Sequence, residues 1–270
     1  MDEKVKTNMQ HWNDMVEPHV KSEFYNVEGF KKGRNTLDKI AIDGVGDVTG
    51  KSLLHLQCHF GMDSLSWARL GAEVTGIDFS TKAIKTARAL SEELSIPATF
   101  VCSDIYDLPN QLSGTFDIVF TSYGVLTWLP DLGRWAEVVA SFLKSGGKFF
   151  IAEIHPFAMV FADEDVDDLK IQYSYFNQKP MKFSGQGSYA DTQATVENTV
   201  TYEWMYPVSK VVNSLLKAGL VIKSFNEYPF SCFQQLPFMV KGNDGFWRLP
   251  DGRNDIPFMF SLTCHKVILT

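Results

Sequence analysis

Leu54, His55, Leu56, Gln57, Cys58, His59, Phe60 and Gly61 carry an apolar stretch into a turn, and the acid Asp78 ends the next apolar stretch, 17 positions after Gly61. An apolar run ending in a turn, a helix over 64–70 and a second run ending in Asp read as strand, loop, helix, strand. In such a unit the loop passes a ligand beneath a helix N-terminus, and the acid accepts hydrogen bonds from a ribose hydroxyl pair. The distance from Gly61 to Asp78 is about what that arrangement needs. Further along, Asp104 follows a third apolar run, and His155 closes a fifth, where a strand-end histidine is a candidate general base.

The elements that must hold these groups follow from periodicity. Strands are expected over 52–56, 73–77, 98–102, 116–121 and 148–154. Ser80 and Thr81 supply an N-cap for a helix over 82–94 that places Ala83, Ile84, Ala87 and Leu90 on one face. Another helix is expected over 132–143, with Gly146 and Gly147 as its stop signal. Repeated β-α alternation with apolar strands implies a parallel sheet covered on both faces by helices.

Around this core the pattern changes. Residues 1–50 lack strand alternation, look helical over 4–20, and form an expected helical cap. Residues 157–206 break the alternation with an acidic tract over 163–168 and two runs, 169–176 and 195–206, that read as antiparallel strands. The tract lacks the oxygen spacing and glycine of a calcium loop, so it reads as a solvated loop. A helix over 207–218 and strands over 220–228 and 258–267 resume the α/β pattern. The expected division is a cap (1–50), a cofactor-binding core (51–156), a β-containing lid over an acceptor site (157–206) and a completion of the core (207–270).

Composition narrows the classes. With 270 residues, 45% of them hydrophobic and 21% charged, the chain can bury a sizeable core and is not a disordered polymer. A formal charge of -7 gives no general attraction for nucleic acid. The short cluster Lys31, Lys32, Arg34 reads as a solvated loop. Four cysteines without Cys-x-x-Cys spacing fit reduced thiols, and no apolar run reaches the roughly 20 residues of a membrane span. A cytoplasmic protein without membrane or nucleic-acid partners is expected, its oligomeric state open. His55 and His59, four apart across a strand end and a loop, make no helical metal pair, so no metal is expected.

In their order, these motifs resemble the class I S-adenosylmethionine-dependent methyltransferases. Residues 54–61 stand at the family's glycine-rich first motif, and Gly76, Ile77, Asp78, Phe79 and Ser80 match its ribose-binding acid and the next helix cap. The segment 102–108 matches the part that holds adenine, and 116–120 opens the strand leading to the methyl-transfer site. The resemblance implies a Rossmann-like, doubly wound, seven-stranded, mostly parallel sheet whose last strand is antiparallel. It implies S-adenosylmethionine as cofactor, held by Gln57, Cys58, His59, Phe60, Gly61, Asp78, Phe79, Ser80, Asp104, Ile105, Ser122 and Tyr123, with His155 and Tyr123 as catalytic candidates. The first motif departs from the family: an acid and two glycines are replaced by His55, Gln57 and His59, so these side chains either turn away or take over contacts the backbone loses. No Pro-Pro-aromatic tetrapeptide of the amine-methylating type follows the fourth strand, which favours a small-molecule acceptor. Trp12, Tyr25, Trp128, Tyr202 and Trp204 are candidates to line its pocket. A catalytically silent cofactor-binding protein is the alternative. A nicotinamide-dependent oxidoreductase fits less well, because Gln57 and His59 break the glycine pattern that admits a pyrophosphate.

Overall fold

A computed structural model of the chain describes residues 2–163, 166–177 and 179–267. The N-terminal segment forms α1 (Glu3–Lys21), α2 (Val27–Lys31) and α3 (Lys39–Val45). The alternating core follows as β1 (Ser52–Leu56), α4 (Met62–Arg69), β2 (Glu73–Asp78), α5 (Thr81–Leu94), β3 (Thr99–Cys102), α6 (Leu108–Gln111), β4 (Phe116–Ser122), α7 (Leu132–Phe142) and β5 (Leu143–Ile154). After it come β6 (Met181–Ser184), β7 (Val200–Glu203), α8 (Val208–Lys217), β8 (Leu220–Tyr228), the two-residue strands β9 (Val240–Lys241) and β10 (Trp247–Arg248), and β11 (Met259–Lys266).

Seven strands build the main sheet in the order β3-β2-β1-β4-β5-β11-β8, with β11 antiparallel to both β5 and β8. Strand alternation sorts the side chains. Leu54, Leu56, Val119 and Ile151 pack with Trp135, Val139 and Leu215 of α7 and α8 on one face, while Leu53, Phe120 and Phe150 pack with Ala41 and Trp67 of α3 and α4 on the other. α5 starts where its cap predicts: Ser80 Oγ accepts from Ala83 N–H at 3.1 Å, and Ala83, Ile84, Ala87 and Leu90 are buried. The sheet order reverses between β1 and β4, and in such sheets the crevice beyond the strand C-termini at that point takes the ligand.

Two expectations are corrected. Gly146 and Gly147 do not separate helix from strand, because β5 begins at Leu143, directly after α7. A Cβ on Gly147 would stand 2.9 Å from the Lys144 carbonyl and 3.2 Å from that of Asp117, so glycine serves here as a close approach inside an irregular strand. Residues 169–176 form no strand: Ile171 makes one isolated bridge to Phe161, and the antiparallel pair of the insertion is β6 with β7. Within the acidic tract, residues 164 and 165 lie outside the described residues.

The cap and the insertion meet. Asn8 of α1 donates from Nδ2 to the Tyr202 carbonyl at 2.7 Å and accepts from Tyr202 N–H at 2.8 Å, copying a strand edge for β7. Asp14 accepts from the backbone and side-chain N–H groups of Asn198 at 3.0 and 2.8 Å. Asn13 Oδ1 accepts from Ser80 Oγ and Lys82 N–H, fixing α1 to the start of α5. Thus α1 is bonded on one side to β7 and on the other to the start of α5.

Candidate functional site

The loop after β1 retains the backbone of a glycine-rich turn without most of its glycines. Gln57, His59 and Gly61 have φ of 57°, 51° and 80°, left-handed at every second position. For residues with a Cβ that conformation costs roughly 1–2 kcal/mol each, so packing and hydrogen bonds must hold it. At Gly61 no substitute fits: a Cβ there would come within 2.8 Å of the Phe100 ring and 2.9 Å of Ala87 Cβ. Cys58 N–H donates to the Ile77 carbonyl at 2.8 Å, and His59 N–H donates to Asp78 Oδ2 at 2.9 Å, which ties the loop to the end of β2.

The replacement side chains have separate tasks. Gln57 Nε2 donates to the Val125 carbonyl at 3.2 Å in the segment after β4, while its Oε1 is buried with no partner among the described residues. The His59 ring turns to the cap: its Nε2 lies 2.9 Å from His19 Nδ1, and His19 Nε2 lies 3.1 Å from Ser188 Oγ of the insertion. Trp12 and Tyr25 pack against the His59 ring at centroid separations of 5.4 and 5.7 Å. Burial holds the proton affinity of both imidazoles down, His19 to about 4, so the pair is neutral and shares one hydrogen bond. His55, at the position of the family's acid, is also neutral: burial drives it to about 3, and its Nδ1 meets Ser64 Oγ at 2.8 Å.

These groups border a cavity of about 1540 Å³ at the strand C-termini. Gln57, Cys58, His59, Phe60, Gly61, Asp78, Phe79, Asp104, Ile105, Ser122 and Tyr123 all line it. Ser80 and His155 do not. Ser80 is the buried cap of α5, and His155 accepts from Phe157 N–H at Nδ1 while its Nε2 stands 3.0 Å from Glu227 Oε1 on β8. Of the five aromatic candidates, Trp12, Tyr25, Trp128 and Trp204 line the cavity; Tyr202 lies instead under the Lys4 ammonium.

Asp78 is 7% exposed, and each oxygen accepts a backbone N–H, Oδ1 from Ser80 at 2.8 Å and Oδ2 from His59. Burial raises its pKa to about 6, the N–H groups of Ser80, His59 and Phe79 offsetting part of that rise. Asp104 Oδ1 accepts from Tyr106 N–H at 2.9 Å and shapes the turn that carries Ile105. Tyr123 donates to the carboxylate of Asp38, and its pKa rises well above the usual phenol value through burial and that neighbouring charge. A phenol held this way keeps its proton.

Two carboxylates that neither motif nor spacing singles out, Glu153 and Glu203, also line the cavity. Glu153, at the end of β5, is 3% exposed and accepts from the N–H groups of Gly124, Val125, Leu126 and Ile154. It fixes the segment after β4 that carries Tyr123, Thr127 and Trp128 into the cavity. Its signal was present, an acid in the apolar run 149–154, but nothing in the spacing named its partners.

A seven-stranded sheet with one antiparallel strand, its cavity at the switch point and an acid ending β2, is the arrangement of the class I methyltransferases. Residues 54–151 match the family model for a methyltransferase domain. The ubiquinone biosynthesis O-methyltransferase of Xanthomonas oryzae pv. oryzae is 32% identical over 142 residues, 52% of this chain and 59% of that protein. Its counterpart in Xanthomonas euvesicatoria pv. vesicatoria is 31% identical over the same shares. This chain therefore spans less than two thirds of these relatives. A solved S-adenosylmethionine-dependent methyltransferase from Mesorhizobium loti superposes with TM-score 0.59 at 20% identity, covering 87% of this chain and 100% of its own. The [4+2]-cyclase SpnF superposes with TM-score 0.59 at 14% identity over 97% and 96% of the two chains. Residues 54–151 thus resemble a methyltransferase domain in sequence, and the fold around them is that of solved S-adenosylmethionine-dependent methyltransferases.

Proposed function

We propose that this chain binds S-adenosylmethionine and transfers its methyl group to a small-molecule acceptor. One observation carries the reading: Asp78, the Asp104–Ile105 turn and a loop with left-handed backbone at 57, 59 and 61 border the same cavity. The residues suit the cofactor. Asp78 would take the ribose hydroxyls, Asp104 and the Ile105 N–H the adenine edge, and Phe79 a face of the base. Gln57 and Trp12 line the cavity, and each holds a buried polar atom with no partner among the described residues, Oε1 an acceptor and Nε1 a donor. That pair matches the ammonium and carboxylate of the methionine end.

When bound, the cofactor supplies a methyl group on a sulfonium, a good electrophile that needs no covalent help from the protein. The chain's contribution is then alignment and the exclusion of water. Glu153 fixes the segment after β4, the Gln57 amide braces it from the loop, and α1 and β7, bonded to each other, line the same cavity. Trp12 and Trp128 meet edge to face at 5.3 Å and present aromatic surface to a cationic donor. A cavity lined in this way suits a small acceptor better than a nucleic acid, and its wall carries Asp38, Asp63, Asp78, Asp104, Glu153 and Glu203. Free cysteines support a cytoplasmic setting, and no helix among the described residues is long and apolar enough to cross a membrane.

Because the fold also serves a cyclase, the test must follow both binding and transfer. Calorimetry with S-adenosylhomocysteine should give one site per chain, and labelled methyl from S-adenosylmethionine should appear in a product from a panel of phenols, amines and thiols. No binding at millimolar ligand would end the reading. Binding without transfer to any member would point to the silent alternative.

A further inference from the structure

The insertion brings two carboxylates to the cavity, the solvent-exposed Asp163 and the largely buried Glu203, and neither folding nor the expected cofactor contacts use the second. Glu203, the last residue of β7, lines the cavity on the side of the segment after β4. Beside it, Trp204 N–H donates to the Thr127 carbonyl at 2.8 Å, joining the lid to the segment that carries Trp128. The Glu203 carboxylate accepts a long hydrogen bond of 3.4 Å from Thr127 Oγ1, and no salt bridge among the described residues engages it. By contrast Glu153 accepts four backbone N–H groups, Asp78 is assigned to the ribose, and Asp38 and Asp63 are committed to Tyr123 and Thr36. His155, the strand-end histidine, is outside the cavity lining.

We propose that Glu203 is the proton acceptor for the methyl acceptor, which therefore enters as an uncharged hydroxyl or a protonated amine. This rests on the methyltransferase reading. In the step, the nucleophile's X–H proton passes to the Glu203 carboxylate, an X–C bond forms, the S–C bond breaks, and its electron pair stays on sulfur. For an ammonium the proton leaves first and frees the lone pair that attacks. The surroundings suit the role: burial raises the carboxyl pKa to about 7, Asp163 adds to the rise, and the Thr127 hydroxyl opposes it. Of the titratable groups of α1, which packs on β7, Lys4 stands over the Tyr202 ring, and His11 and Asp14 are turned to Asn198. A carboxyl balanced near neutral pH can take a proton and return it to water after each turnover.

The test needs no knowledge of the acceptor. Sinefungin carries an amine-bearing carbon where S-adenosylmethionine carries its methyl-bearing sulfonium, so its ammonium reports the charge facing the reacting position. By calorimetry at pH 8 the wild-type chain should bind sinefungin about tenfold more tightly than S-adenosylhomocysteine, the scale of one charge-assisted hydrogen bond. That preference should shrink at pH 6, as the carboxyl is protonated, and vanish in Glu203→Gln. S-adenosylhomocysteine affinity should stay within about twofold in the variant, which also shows that the variant folds. An unchanged preference in Glu203→Gln, or one independent of pH in the wild type, overturns the assignment. If neither ligand binds the wild-type chain, the methyltransferase reading itself fails and takes this proposal with it.

Discussion

Cofactor affinity should depend on pH through Asp78, and the size of the effect follows from its surroundings. In the free protein burial lifts this carboxyl to about 6, although two backbone N–H groups point at it. Ribose hydroxyls donate to the anion and not to the acid, so bound ligand must pull the pKa down. Binding below pH 6 then releases a proton. If the bound carboxyl titrates well below 5, the apparent dissociation constant rises by a factor of 1 + 10^(6−pH): about twofold at pH 6 and about elevenfold, or ~1.4 kcal/mol, at pH 5. Above pH 7 it is flat. The stability of the free protein runs the opposite way: a carboxyl with a raised folded pKa contributes stability below its unfolded value and loses it as pH rises through about 6. The assay is calorimetry with S-adenosylhomocysteine from pH 5 to 8 in two buffers of different ionisation enthalpy, which counts the proton directly. Asp78→Asn is the control. It should bind about ten- to a hundredfold more weakly at pH 7.5, from loss of charge-assisted bonds, and its affinity should no longer fall with acid. Equal affinity at pH 5 and 7 in the wild type, or the same slope in Asp78→Asn, would refute the assignment of the ribose to this residue.

Three further outcomes follow from the loop and its supports. Gly61→Ala should lower unfolding stability by about 2–4 kcal/mol in urea, since the new methyl meets Phe100 and Ala87 at φ 80°; a loss under ~1 kcal/mol would contradict the packing. Gln57→Gly should leave stability within about 1 kcal/mol, because relief of left-handed backbone offsets the lost bond to Val125. The same change should weaken S-adenosylhomocysteine about tenfold if the amide has taken over contacts at the methionine end, and unchanged affinity would reject that role. Glu153→Gln turns an amide NH2 toward two of the four backbone N–H groups that the carboxylate accepts, and should cost about 2 kcal/mol of stability, measured by thermal melting.

Most of the sheet was legible in the sequence because apolar runs ended by Gly or Asp leave little freedom. Residues 52–56 and 220–228 became β1 and β8 with those limits, and Ser80 capped α5 as its side chain predicts. The insertion was harder to read. Strands that pair outside the main sheet, and are covered by a helix on one side only, lack a sustained alternation, so 169–176 looked like a strand while β6 at 181–184 did not. The site divided along the same line. Asp78, Asp104 and Gly61 announced themselves through motif order, whereas Glu153 and Glu203 owe their places to partners far away in sequence: the loop at 124–126 and Thr127. Nor could sequence show that Gln57 and His59 keep the left-handed backbone of the glycines they replace, or that the His59 ring turns to His19 of the cap.

The most direct measurement is a crystal structure of the chain with S-adenosylhomocysteine. Both ribose hydroxyls should lie on the Asp78 carboxylate, adenine beside Asp104 and Ile105, and the sulfur should face the side of the cavity bounded by Trp128 and Glu203. A ligand bound with its ribose away from Asp78, or a cavity that stays empty at millimolar S-adenosylhomocysteine, would contradict the assignment of this cavity to the cofactor.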